Sequence, residues 1–158
     1  MVNAILIGAG QRGYEVYGEC ALEHPSDLKF IAVAEPDEAR RNRFAQAHKI
    51  PNELCFESWE KILDQPKLAD AAFICTQDRM HTEPTLMALE KGYHVLLEKP
   101  MSPVAGEYIA MGKYAEKYNR IFSICHVLRY SEFFSAIKEV IDCGKLGEII
   151  NIKHAENV

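Results

Sequence analysis

At 158 residues the chain can bury the core of one domain, and a second complete one does not fit comfortably. With 18 Lys plus Arg against 23 Asp plus Glu, a net charge of -5 and no basic stripe, a nucleic-acid or anionic-membrane partner is disfavoured. Five scattered cysteines with no CxxC pair and no His at ligand spacing indicate neither a metal site nor a disulfide framework. Reduced thiols, no run of transmembrane length and no signal-type N-terminus fit a cytoplasmic protein.

The chain opens on VNAILIGAGQRG, an apolar run (Ala4, Ile5, Leu6, Ile7) that ends in Gly8, Gly10 and Gly13 at G-x-G-x-x-G spacing. A helix-compatible segment follows over 14–23. In that setting the glycines form a dinucleotide fingerprint. Gly8 permits the turn off the strand, Gly10 lets the backbone approach a pyrophosphate, and Gly13 lets the helix pack on the strand. The cofactor loop therefore comprises Gly8, Ala9, Gly10, Gln11, Arg12 and Gly13.

Residues 28–34 (LKFIAVA) read as a buried strand ending on Glu35, the place where an acidic residue bonds the adenosine ribose 2′-OH. A carboxylate there repels a 2′-phosphate, which favours NAD. Arg40 and Arg41 follow closely enough to leave NADP open, their other reading being the solvated face of a helix over 37–48. Residues 51–57 read as irregular. Ser58 is an expected N-cap for a short helix WEKILD, in which Trp59 is a core residue.

A strand over 70–75 (DAAFIC) ends in Thr76 and Gln77, a helix over 81–91 begins at His81, and a strand over 93–97 (YHVLL) runs into Glu98-Lys99-Pro100. The Lys99–Pro100 bond is a candidate for the cis form. A helix over 103–119, a strand over 120–125 ending in His126, a helix over 131–144 and a strand over 148–153 (EIINIK) complete the pattern. Strands alternating with helices predict an α/β fold, a doubly wound parallel sheet of the Rossmann type. In such sheets ligands bind beyond the carboxyl ends of the strands, so Gly8, Gly10, Glu35, Thr76, Gln77, Glu98, Lys99 and His126 are expected along one edge.

In order, GAGQRG, AVAEPDEARR, ICTQDRMH, HVLLEKP, HVLRY and the KLGEI turn resemble the N-terminal part of the glucose-fructose oxidoreductase and inositol dehydrogenase family, Gfo/Idh/MocA. The resemblance implies an NAD(P)-binding domain over 1–126. Residues 127–158 would then be the helix and first strand of a truncated second α+β domain for substrate and oligomerisation. It implies NAD, with NADP possible, held by Gly8 to Gly13, Glu35 (in place of the more usual Asp), Thr76, Gln77, His81, Glu98 and Lys99. Glu98 and Lys99 carry the catalytic assignment, and Lys99, His126 and Arg129 the substrate contacts. The acid-base His of relatives usually comes from the second domain.

The function implied is hydride transfer between nicotinamide and a hydroxyl carbon of a sugar, cyclitol or related small molecule, by a chain that forms a homo-oligomer at full length. Two alternatives stand beside it: an NAD-dependent glycosidase of the same superfamily, and a nucleotide-sensing regulator without turnover. On the residues alone, Glu98 and Lys99 also fit a plain ion pair at a sheet edge.

Overall fold

Strand β1 (Val2–Ile7) lies at the centre of a six-stranded sheet in the computed structural model, which describes residues 1–155. The other strands are β2 (Leu28–Ala34), β3 (Cys55–Phe56), β4 (Ala71–Ile74), β5 (His94–Leu97) and β6 (Phe122–Ile124). Every pairing is parallel and the spatial order is β3-β2-β1-β4-β5-β6, so the winding reverses between β1 and β4. That reversal opens a crevice at the carboxyl ends of β1 and β4, where a doubly wound sheet takes its ligand.

Both faces of the sheet are covered. Ile5, Ile7, Ala32, Ala72, Ile74, Val95 and Leu97 pack with residues of α3 (Trp59–Asp64), α4 (Thr82–Glu90) and α5 (Ala105–Lys117). Ala4, Leu6, Phe30 and Val33 pack on the opposite face with α1 (Glu19–Glu23) and α2 (Glu38–His48). The switch of parity between Phe30 and Val33 comes from a bulge, since Ala4 pairs with Phe30 but Ile5 pairs with Ala32. Ser58 caps α3 as its sequence predicts, accepting from the Lys61 N–H, and Asp37 caps α2 through the Arg40 N–H at 2.8 Å.

Three expectations need correction. Residues 55–56, read as irregular, form β3; two residues are too short for a periodic signal, and the strand exists through its pairing with Val33 and Ala34. The helix after the glycine loop starts at Arg12 and runs as a π-helix to Gly18 before turning α-helical. Residues 148–153 form no strand. None of the six strands pairs with them, Gly144 and Gly147 turn the chain at positive φ, and Ile150 is 93% exposed.

The chain divides into two compact units, the first Met1–Cys125 and the second beginning at His126. The second contains a 3-10 turn (Val127–Tyr130) and α6 (Glu132–Asp142), whose Phe133, Ile137 and Val140 are exposed.

Candidate functional site

Gly8 ends β1 with φ +94°, and a Cβ there would sit 2.7 Å from the Cys75 carbonyl oxygen. Only glycine takes that turn without strain so close to β4. A Cβ on Gly13 would fall far inside van der Waals contact of the Gly8 carbonyl oxygen, which brings the helix start directly onto the strand end. Gly10 differs from both. Nothing lies within 4 Å of its added Cβ, so its backbone faces open space at the mouth of the crevice. An accessible backbone followed by a helix start, whose first-turn N–H groups lack intrahelical acceptors, suits the pyrophosphate of a dinucleotide.

Glu35 is buried, and its carboxylate braces the loop. Oε2 accepts from the Ala9 N–H at 2.7 Å and Oε1 from the Asp37 N–H at 3.1 Å. Each oxygen keeps a lone pair beyond that single bond. The neighbouring Arg41 donates through Nη1 to the Glu35 carbonyl at 2.6 Å, whereas Arg40 is exposed on α2. Of the two arginines, Arg41 is thus the one fixed at the end of β2.

Glu98, only 3% exposed at the end of β5, reaches back to the same loop. Its Oε1 accepts from Arg12 Nε at 3.0 Å and from the Tyr17 hydroxyl at 2.7 Å, and lies 2.9 Å from Arg12 Nη2 in an ion pair. Its Oε2 faces the Lys99 backbone N–H at 3.2 Å. Burial alone pushes the carboxyl up, but donation from Tyr17 and Arg12 outweighs it and holds Glu98 below the usual carboxylate range. Burial, with Cys125 and Glu98 as hydrogen-bonding neighbours, pushes the Tyr17 phenol far up, so Tyr17 stays protonated and donates.

The salt bridge expected as an alternative between Glu98 and Lys99 therefore runs to Arg12 instead. Among the described residues no carboxylate pairs with the Lys99 ammonium, which is exposed. The Lys99–Pro100 bond is cis.

Thr76 follows β4 and donates through Oγ1 to the Met80 carbonyl at 3.2 Å, while Gln77 is exposed. His81 is fully buried. Its Nδ1 lies 2.7 Å from the Pro100 carbonyl and its Nε2 3.0 Å from the Thr76 carbonyl. Both ring nitrogens thus face backbone carbonyls, the one that carries the N–H donating, and the imidazole sits between the turns after β4 and β5.

A family model described as an oxidoreductase family with an NAD-binding Rossmann fold matches residues 2–126. The chain belongs to the Gfo/Idh/MocA oxidoreductase family. It is 31% identical over 148 residues to D-glucoside 3-dehydrogenase of Escherichia coli (strain K12), covering 94% of this chain and 41% of that protein. It is 25% identical over 156 residues to scyllo-inositol 2-dehydrogenase (NAD(+)) of Bacillus subtilis (strain 168), covering 96% and 43%. The chain thus spans about two-fifths of the length of these curated relatives. In fold it is similar to the WlbA dehydrogenase from Bordetella pertussis, solved in complex with NADH and UDP-GlcNAcA, with a TM-score of 0.83 at 19% identity over 92% of this chain and 42% of that one.

In this Gfo/Idh/MocA domain, turn glycines and polar side chains from β1, β2, β4 and β5 meet along the expected edge. His126 and Arg129 belong to the second unit, where both are exposed and the Arg129 N–H donates to the His126 carbonyl at 2.9 Å. Sequence reasoning missed Tyr17, which reads as one apolar position of an amphipathic helix. Arg12 was read only as part of the loop, yet its guanidinium is the cationic partner of Glu98.

Proposed function

We propose that this chain binds NAD, with NADP as the second choice, and serves a dehydrogenase that moves a hydride between nicotinamide and a hydroxyl carbon of a sugar, cyclitol or related small molecule. The observation that carries this reading is the Arg12–Glu98 bridge, which ties the turn bearing the exposed ammonium of Lys99 to the glycine loop. Bound NAD would supply the hydride acceptor. Gly8 to Gly13 hold its pyrophosphate, Glu35 takes the adenosine ribose, and Thr76, Gln77 and the Glu98–Lys99 turn line the nicotinamide half. His81 acts from between the turns after β4 and β5, where its ring N–H donates to the Thr76 or the Pro100 carbonyl. Lys99 contacts the substrate hydroxyl and stabilises the alkoxide formed when the hydroxyl proton passes to a base of the second domain; the C–H bond then breaks, the hydride goes to the nicotinamide and the carbonyl forms.

On the same reading, residues 1–126 are the NAD(P) domain and residues 127–158 open a second domain, with His126 at the boundary and Arg129 just beyond it leading to the substrate. The protein works as a cytoplasmic homo-oligomer. Glucoside and inositol dehydrogenases among the relatives support the substrate class.

The test is a panel of sugars and cyclitols incubated with NAD and the full-length protein, second domain included, followed by NADH absorbance. Net NADH with at least one polyol, abolished by Lys99→Ala while NAD binding persists, is expected. Substrate turnover without net NADH would instead establish the glycosidase reading. NAD binding without any turnover would establish the sensor.

A further inference from the structure

Arg12 and Tyr17 are five residues apart, and both donate to one oxygen of one buried carboxylate, Glu98 Oε1. In an α-helix, five residues turn about 140° beyond a full revolution, which sends two such side chains to different faces. The run from Arg12 to Gly18 is a π-helix, whose i to i+5 hydrogen bonding brings residues five apart close to one face. The wider turn is therefore what lets the glycine-loop guanidinium and the Tyr17 hydroxyl converge. Tyr17 is held from behind by Phe73 of β4, with ring centroids 5.3 Å apart in an edge-to-face arrangement. Its hydroxyl is aimed by packing as well as by the hydrogen bond.

We propose that Tyr17 is a positioning residue for the Glu98–Lys99 turn: through the π-helical turn it fixes, with Arg12, the Glu98 carboxylate that orients the Lys99 backbone. This rests on the reading of the edge as a dinucleotide site. Of the two oxygens of Glu98, one accepts from Arg12 Nε and the Tyr17 hydroxyl of the first helix and the other faces the Lys99 N–H. Freeing one side of that carboxylate lets the lysine turn swing. The consequence falls on the nicotinamide half, beside β5, and spares the adenosine half, which Glu35 and the glycine loop hold.

Tyr17→Phe keeps the ring on Phe73 and removes only the hydroxyl. Calorimetric titration of the wild type, Tyr17→Phe, Glu98→Gln and the double variant with NADH and with ADP-ribose, which lacks nicotinamide, tests the assignment. Tyr17→Phe is expected to weaken NADH about tenfold, the scale of a lost hydrogen bond to a charged group, with ADP-ribose unchanged. In the Glu98→Gln background the same substitution should add little, because the hydroxyl acts through that carboxylate. Equal weakening of both ligands, no weakening of NADH, or additive effects in the double variant would overturn the proposal. Failure of the wild type to bind either ligand would instead overturn the dinucleotide reading, and this assignment with it.

Discussion

Glu35 serves two purposes that pull on the same two oxygens. It holds the Ala9 and Asp37 N–H groups, and it presents a negative charge at the end of β2 where an adenosine ribose would lie. The two can be separated by substitution. Glu35→Gln keeps the shape and one acceptor, enough for the Ala9 N–H but not for the Asp37 N–H as well, and removes the charge, so the preference of the wild type for NAD over NADP should narrow at a stability cost smaller than that of Glu35→Ala. Glu35→Ala should in addition cost about 1–3 kcal/mol of stability, because the buried Ala9 N–H loses its acceptor. Titration with both cofactors beside thermal melts checks this, and tighter binding of NADP than NAD by the wild type would sink the role given to Glu35. Glu35 was legible in the sequence because its position after an apolar strand is topological. Its second bond to Ala9 was not, since nothing in the one-dimensional pattern says that the loop folds back over the strand beside it.

Among the elements, α2 shows how packing produces a chemical property. Its Phe44 and His48 rings stack with centroids 4.1 Å apart, and both lie edge-on to Phe30 of β2. Among the described residues His48 Nε2 is buried without a hydrogen-bond partner, and burial lowers the imidazole pKa from 6.5 to about 4. The folded state resists a proton that the unfolded chain accepts near pH 6.5. Stability therefore holds above that value and falls as the pH drops from 6.5 toward 4. Glu98 has the opposite origin and a lower window, because its depressed pKa contributes stability that is present above 4.5 and lost below it. In denaturant titrations across this range, His48→Phe should flatten the slope between pH 6.5 and 4.5 and leave the steeper loss below it. An unchanged slope would contradict the burial of a neutral ring.

The elements that the sequence pattern revealed were those with strong local signals: the cap at Ser58, β-branched runs at β1 and β2, and glycine turns. Those it missed depend on partners. β3 exists only through two residues of pairing, and the π-helical turn at Arg12 answers to Glu98, which lies 86 residues away. Tyr17 packs on Phe73 as an apolar position would, but nothing in the pattern shows that its hydroxyl reaches Glu98. The strand expected over 148–153 failed for the converse reason, having apolar pattern without a neighbouring ladder.

For the molecule as a whole, alternating strands and helices with one reversal of winding gather the ends of β1, β2, β4 and β5 along one edge, and the account stands on a dinucleotide lying there. Gly10 separates that claim from mere stability better than any other position. Its added Cβ meets nothing within 4 Å, so Gly10→Ala should fold as the wild type does, while the new methyl group fills the approach that a pyrophosphate needs. Gly13→Ala is the contrasting case, because its Cβ drives into the Gly8 carbonyl and should damage the fold itself. The measurement is calorimetric titration of NAD into wild type and Gly10→Ala, each with a thermal melt. The account predicts saturable binding to the wild type, and loss of that binding in Gly10→Ala at an unchanged melting temperature. Equal NAD affinity in the two proteins, or no NAD binding by the wild type, would contradict it.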